Sequence, residues 1–226
     1  MVLSMKLLRS YPLRLVGVTC AQLVLLAIAV STPDARGAGR SSKGGGDVQA
    51  KLAYCEDCHG RSGQGFHGYF PIPRLAGQQT QYLKNQLQAF VEHRRTNNIM
   101  FNVAHFLSPG MIDALATDFR ALNPPPLGGG ARGLAPTGEK IFQNGAPEVN
   151  VAACAACHGP DAQGSGEIPR LAGQLSEYIF NKLINWSKER GLIQSQSDVS
   201  AVMSPVAHSL SRPQVEAIAA YLSHLK

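Results

Sequence analysis

Two copies of the pattern Cys-x-x-Cys-His stand far apart in the chain, at residues 55–59 and 154–158. Two thiols at this spacing lie on one helical turn, where each can add to a vinyl group of haem. The histidine that follows is then held against the iron as an axial ligand. We therefore predict two covalently attached haem c groups, with the following attachment and ligand residues: Cys55, Cys58, His59, Cys154, Cys157 and His158.

Paired cysteines have three other common uses, namely zinc sites, thiol–disulfide redox sites and structural disulfides. Zinc ribbons usually bring their pairs within about 15–20 residues, whereas Cys58 and Cys154 lie 96 positions apart. A thioredoxin-like motif needs a strand–helix–strand context, and no strand pattern surrounds either pair. Disulfides would leave both histidines unexplained, so haem attachment is the favoured interpretation.

The sequence around the two motifs is repeated. The hexapeptide Pro-Arg-Leu-Ala-Gly-Gln occurs at 73–78 and again at 169–174. A tyrosine follows nine positions after each of its prolines, as Tyr82 and Tyr178. Further on, residues 99–108 match residues 202–211. Internal repetition of this kind indicates two domains of one design.

Each repeat has an all-α pattern. We expect helices before the motifs at 47–54 and 138–144, with Asp47 and Thr137 as N-caps. Middle helices are expected near 80–94 and 177–190, and closing helices at 111–122 and 213–225. The prolines and glycines at 124–133 predict a linker between domains 47–123 and 134–226. Each domain is small, so its haem is expected to fill the centre of its core.

The methionines are candidates for the second axial ligand of each iron. Met100 and Met203 occupy equivalent repeat positions, whereas Met111 has no methionine partner in the second repeat. Two haems and two matched methionines favour Met100 and Met203 as ligands. His105 and His208 also recur, so bis-histidine ligation stays open as an alternative. A thioether in the sixth position favours Fe(II), raises the potential and closes the iron to substrates, which indicates electron transfer.

The N-terminal segment 1–38 has the pattern of a signal peptide or an uncleaved anchor. Basic residues precede an apolar run at 15–30, and small and polar residues follow it. Cleavage after Ser31 or after Gly37 fits the pattern, and the choice stays open. Residues 1–46 carry a net charge of +5, against +1 for 47–125 and 0 for 126–226. The basic charge therefore lies in the leader, and no nucleic-acid interface is expected.

The combination of Cys-x-x-Cys-His, Pro-x-Leu-x-Gly and a distal methionine resembles class I cytochromes c. The tandem form with the hexapeptide in both halves resembles the dihaem cytochrome c4 family over residues 47–226. The resemblance implies that the carbonyls of Pro73 and Pro169 accept hydrogen bonds from the haem-ligating histidines. It leaves open whether Arg74 and Arg170 face haem propionates or solvent. It also implies two class I cytochrome c domains packed head to head, each wrapped around its covalent haem.

The resemblance further implies a non-enzymatic periplasmic carrier, either soluble or membrane-associated. Its donor would be a quinol-oxidising complex or another redox protein, and its acceptor a terminal oxidase. A cytochrome subunit of a membrane dehydrogenase or oxidase is one alternative, and a dihaem peroxidase is another. Because 41 positions separate His59 from Met100 but 45 separate His158 from Met203, we expect unequal haem surroundings and two distinct potentials.

Overall fold

Ten α-helices connected by loops account for most of residues 43–190 and 199–226, which are the residues that the computed structural model describes. The first repeat contains α1 (Lys43–His59), α2 (Thr80–Val91), α3 (Asn98–His105) and α4 (Pro109–Ala121). The second repeat contains α5 (Ala135–Asn144), α6 (Ala155–His158), α7 (Ser176–Ile184), α8 (Trp186–Arg190), α9 (Met203–Ser209) and α10 (Arg212–His224). Short 3-10 turns lie at Arg132–Leu134, Pro147–Val149 and Val199–Val202. Strand pairing in the described residues is limited to isolated bridges, and the all-α prediction is confirmed.

The predicted leader 1–38 and most of the longer loop before Met203 lie outside the described residues. Residues 41–226 belong to one compact unit. No single helix within the described part of the chain has the length and apolarity to span a membrane. The pair α3 and α4 meets those criteria only when the two are taken together, and they are bent by 116° at the break between them.

Several predicted helix boundaries were wrong. Asp47 lies inside α1 and Thr137 inside α5, so neither is an N-cap. The predicted middle helix of the second repeat is divided at Asn185, whose side-chain amide donates to the carbonyl of Asn181 at 3.0 Å. Such local side-chain bonds compete with the helical backbone. The short helices α3 and α9, which carry Met100 and Met203, were not predicted.

The second repeat is built on the crossing of α5 and α10. Phe142 of α5 and both Val215 and Leu222 of α10 are fully buried there. Gly138 permits the close approach, because a β-carbon at this position would lie only 1.9 Å from the carbonyl oxygen of Ala217. The helix α7 also packs against α10 and closes this core.

The first repeat uses α4 in the same way, packed against α1 and α2. Its core cluster contains Leu83, Ala116 and Phe119, with Leu52 and Cys55 packed at its edge. One of the attachment cysteines therefore lies against the core, and a group bound to it would be in contact with this apolar cluster.

The Pro/Gly segment between the repeats is held by hydrogen bonds. The guanidinium of Arg74 donates to the carbonyl of Pro124 at 2.8 Å. The hydroxyl of Ser223, near the end of α10, donates to the carbonyl of Gly129 at 2.8 Å. The segment thus packs on both repeats.

Several polar groups connect the two repeats. These contacts include Arg95 to the hydroxyl of Tyr178 at 2.6 Å, Gln79 to the carbonyl of Gln163 at 2.7 Å, Asn85 to Glu167 at 2.7 Å, and His67 to Glu177 at 3.1 Å. Because hydrogen bonds depend on direction, this interface fixes the orientation of one repeat on the other.

Candidate functional site

Both Cys-x-x-Cys-His motifs place their histidine in the same setting. His59 ends α1 and is 8% exposed, and its Nδ1 donates to the carbonyl of Pro73 at 2.9 Å. His158 ends α6 and is 6% exposed, and its Nδ1 donates to the carbonyl of Pro169 at 3.0 Å. With Nδ1 engaged in this way, Nε2 of each ring is free to bind a metal.

The pKa values of both histidines favour the neutral ring that a metal requires. Burial lowers the pKa of His59 below its usual value, although the hydrogen bond to Pro73 acts in the opposite direction. The charge of Arg95 lowers the pKa of His59 further. Burial likewise lowers the pKa of His158. Both imidazoles are therefore available as neutral ligands at physiological pH.

The two histidines and all four cysteines line one cavity of about 1610 Å³ that extends into both repeats. A pocket for a single drug-sized ligand usually encloses about 300–1,000 Å³. The cavity therefore has room for two large groups. Much of its wall is apolar, from residues such as Leu83, Phe90, Phe142 and Leu222, which suits the faces of a porphyrin.

Met100 and Met203 also line this cavity, and both are partly buried. Met100 stands in the first turn of α3, where the side chain of Asn97 accepts its backbone N–H at 2.9 Å. Met203 is the first residue of α9. Met111 is not among the residues that form the cavity wall.

The recurring histidines His105 and His208 are exposed and are not part of the cavity wall. The ring of His105 lies 5.5 Å from that of Phe101. The ring of His208 bonds to the hydroxyl of Ser187 at 2.6 Å and to the carbonyl of Ser204 at 2.7 Å. Both rings thus have partners outside the cavity, which disfavours bis-histidine ligation.

The four cysteines of the motifs are unpaired thiols. Burial raises the pKa of Cys55 to about 11 and also raises that of Cys154. The neutral thiol is therefore the form of both side chains at neutral pH. In the part of the chain that the structure describes, no group of three or more His, Cys, Asp and Glu side chains is placed to hold a metal ion. Neutral thioethers to a porphyrin place no charge on these buried sulfurs.

Arg74 and Arg170 are buried at the meeting of the two repeats, so exposure to solvent was the wrong alternative for them. Burial lowers the pKa of Arg74 to about 10, and the charge of Arg170 contributes to the decrease. The described partners of their guanidinium groups are carbonyl oxygens and the side chain of Gln163, without a carboxylate. These two buried cations line the cavity without a described carboxylate partner. They therefore fit a ligand with acidic groups, such as the propionates of haem.

The sequence patterns alone missed Arg95. This buried side chain lines the cavity and donates to Gln86 at 2.8 Å and to Tyr178 at 2.6 Å. Counting from Tyr82 and Tyr178, its counterpart in the second repeat is Gly191. A cation present in one copy only was therefore a signal available from the repeat alignment.

The loop after the first motif is longer than its counterpart. Fourteen positions separate His59 from Pro73, against eleven between His158 and Pro169. The longer loop exposes Tyr69 and Phe70, which are 90% and 83% accessible. The asymmetry between the repeats thus also lies on the proximal side of the first site, where the sequence comparison had not placed it.

Comparison with known proteins gives a consistent result. The family described as Cytochrome c matches residues 135–226. Cytochrome c-552 of Acidithiobacillus ferridurans is 36% identical over 199 residues, with 83% of each chain covered. A thiosulfate dehydrogenase electron acceptor of Thiomonas intermedia (strain K12) is 36% identical, covering 76% of this chain and 79% of that protein. Cytochrome c4 of Thiocapsa roseopersicina is 35% identical, covering 80% of this chain and 93% of that protein.

Two solved structures extend the comparison. Cytochrome c4 of Acidithiobacillus ferrooxidans is 34% identical with a TM-score of 0.62, covering 76% of this chain and 99% of that one. The thiosulfate dehydrogenase TsdBA of Marichromatium purpuratum is 31% identical with a TM-score of 0.67, covering 76% of this chain and 36% of that one. The predicted haem c attachment is confirmed, and the protein is a dihaem cytochrome of electron transfer. The chain belongs to the cytochrome c4 family.

Proposed function

We propose that the protein is a periplasmic electron carrier in which each iron is held between one histidine and one methionine. The pairs are His59 with Met100 and His158 with Met203. The observation that carries this proposal is that both matched methionines line the cavity that the two histidines line, while His105 and His208 do not. A bound haem supplies a reversible one-electron Fe(III)/Fe(II) couple at each site.

The protein residues then have three tasks at each site. The proximal histidine is oriented by its hydrogen bond to Pro73 or Pro169. The methionine would be the second protein ligand of the iron and would keep small molecules from binding there. Apolar side chains such as Leu83 and Ile179 exclude water from the cavity. The buried guanidinium groups of Arg74 and Arg170 supply positive charge for the propionates.

The ligand assignment is tested by two single variants, Met100→Ala and Met203→Ala. Each should abolish about half of the thioether–iron charge-transfer band at the red end of the oxidised spectrum, because one of two equivalent ligands is lost. Met111→Ala is the matched control, since this methionine lies outside the cavity wall, and it should leave the band unchanged. An undiminished band in both ligand variants would refute the assignment.

A carrier is favoured over an enzyme because a methionine lines the cavity for each of the two proposed irons and would close it to substrates. A peroxidase would need one iron open to peroxide together with acid–base groups beside it. The purified protein should therefore be reduced and oxidised by partners but should not consume hydrogen peroxide by itself. Sustained peroxide turnover without an added redox protein would favour the enzyme.

The donor that we propose is a periplasmic dehydrogenase, such as a thiosulfate dehydrogenase, and the acceptor is a terminal oxidase. The similarity to proteins named thiosulfate dehydrogenase electron acceptor supports this donor class. Stopped-flow mixing of the oxidised protein with thiosulfate dehydrogenase and thiosulfate should give rapid haem reduction. Reduction only by a quinol-oxidising complex would assign the other donor, and persistent association with a membrane complex would indicate a subunit of that complex.

The periplasmic location is supported by the leader pattern at residues 1–38 and by haem c attachment itself. Mass spectrometry of the protein from a periplasmic extract tests it. The expected mass contains two haem additions and lacks residues 1–31 or 1–37. A full-length mass recovered with membranes would instead show a retained anchor.

A further inference from the structure

One peptide group in each repeat contacts both the haem-ligating histidine and the opposite repeat. In the first repeat this is the peptide that joins Pro73 to Arg74. Its carbonyl accepts from Nδ1 of His59 at 2.9 Å, and its N–H donates to Oε1 of Gln174 at 2.9 Å. Gln174 belongs to the second repeat, 100 positions away.

The second repeat has the reciprocal arrangement. The carbonyl of Pro169 accepts from Nδ1 of His158 at 3.0 Å, and the N–H of Arg170 donates to Oε1 of Gln78 at 2.7 Å. Gln78 and Gln174 are the last residues of the two hexapeptides. Each of these glutamines therefore reaches the peptide that holds the histidine of the other repeat.

Further hydrogen bonds fix each glutamine in place. Nε2 of Gln174 donates to the carbonyl of Arg74 at 3.0 Å, and Nε2 of Gln78 donates to that of Arg170 at 2.9 Å. Both glutamine side chains are buried. The glutamine amide thus holds both polar groups of the same arginine main chain, and rotation of its side chain would break both bonds.

Hydrogen bonds in series polarise one another, by about 10–30% per bond in condensed phases. When the N–H of a peptide donates, its carbonyl oxygen becomes a stronger acceptor. A stronger acceptor draws the Nδ1 proton and makes the imidazole a more basic metal ligand. A more basic ligand stabilises Fe(III) and lowers the reduction potential.

We propose that Gln174 and Gln78 are positioning residues that tune the irons in a crossed manner, so that each acts on the haem of the opposite repeat. This inference rests on the proposed ligation by His59 and His158. It predicts that the potential of one haem depends on a side chain whose own repeat binds the other haem. Contact between the repeats would therefore help to determine the reduction potentials of both haems.

The test is a redox titration of the full holoprotein with Gln174→Met and Gln78→Met, since methionine keeps the side-chain length and removes both hydrogen-bonding atoms. Gln174→Met should raise the potential of the haem at Cys55 and Cys58, and Gln78→Met that of the haem at Cys154 and Cys157. Met100→His shows which potential belongs to which haem, because exchange of thioether for imidazole lowers the reduction potential of the first haem alone.

Gln79→Met is the matched control. Gln79 also donates across the interface, to the carbonyls of Gln163 and Gly164, but it does not touch a peptide that holds a histidine. Its two potentials should stay at the wild-type values. A change in Gln79→Met as large as in Gln78→Met would mean that loss of interface packing, and not the relay through the peptide, moves the potential.

Gln174→Glu provides a second variant in case the methionine variant folds poorly. Its carboxylate keeps an acceptor for the N–H of Arg74 and is a stronger one, so the first potential should fall more than the second. Shifts of equal sign in Gln174→Met and Gln174→Glu, or a Gln174→Met shift confined to the second haem, would overturn the inference. Absence of the thioether–iron band in the wild-type protein would instead refute the proposed ligation by Met100 and Met203.

Discussion

Replacement of Gly138 by alanine tests how closely α5 and α10 must approach for the second haem site to form. A β-carbon at position 138 would lie 1.9 Å from the carbonyl oxygen of Ala217 and 2.8 Å from Cβ of Tyr221. Neither atom is the end of a flexible side chain. The helices would have to separate by roughly 1.5 Å to restore ordinary van der Waals contact.

That separation has a calculable cost. Overpacking of a tight core costs about 1–3 kcal/mol, and more where the structure cannot yield. The higher helix propensity of alanine offsets about 1 kcal/mol of this destabilisation. Since the clash is with main chain and the core residue Phe142 of the same helix is fully buried, the upper end of the range applies. We expect a net loss of about 2 kcal/mol or more in the free energy of unfolding, which lowers Tm by about 4–8 °C in a chain of this size.

The assay is thermal unfolding of the holoprotein by calorimetry, combined with the thioether–iron band recorded through the transition. In Gly138→Ala the half of the band that belongs to Met203 should disappear first on heating. Gly110→Ala is the matched control, because Gly110 lies in the first turn of α4 and a β-carbon added there would meet nothing within 4 Å. It should be neutral or stabilise by up to about 1 kcal/mol. A wild-type Tm for Gly138→Ala would refute the close helix crossing.

Three further outcomes are expected. Phe142→Ala should lower the free energy of unfolding by about 3–5 kcal/mol in denaturant titration, because the ring is fully buried. Burial raises the pKa of Glu177, but its hydrogen bonds, including that of His67, outweigh burial and hold the pKa below 4.5. Glu177→Gln should therefore cost less than about 1 kcal/mol at neutral pH, and its difference from wild type should vanish in unfolding experiments as the pH falls below 4.5 through the lowered pKa. Tyr69→Ser should change stability by no more than about 0.5 kcal/mol, since this ring is exposed and lies outside the cavity wall.

Haem binding could be predicted from the sequence because the residues involved are adjacent in one motif or recur in both repeats. Cys55, Cys58 and His59 are neighbouring positions of one motif, and the repeat alignment singled out Met100. The helix boundaries were less predictable, because they depend on competition among local hydrogen bonds. The break at Asn185 is an example, since its side chain bonds to the preceding turn although the surrounding pattern is helical.

The interface could not be predicted from the sequence for a different reason. Gln78 and Arg170 are 92 positions apart, and Gln174 and Arg74 are 100 apart. Nothing in the local pattern of either hexapeptide indicates which distant main chain its glutamine meets. The burial of Arg74 has a similar origin, because its main chain bonds to Gln174 of the second repeat and its guanidinium bonds to Pro124 after α4. Pairings of this kind become visible only when both copies are in place.

The identity of the two hexapeptides follows from the number of contacts that each position makes. The prolines accept the histidine Nδ1 protons. Gly77 and Gly173 both have φ of +71°, and their N–H groups donate to Phe119 and Leu222 of the closing helices at 2.8 and 2.9 Å. The arginine main chains bond to the glutamines of the opposite copy. One hexapeptide therefore joins a haem ligand, a closing helix and the partner repeat. Because the contacts are reciprocal, a shift of one hexapeptide would displace the peptide that holds the histidine of the opposite repeat.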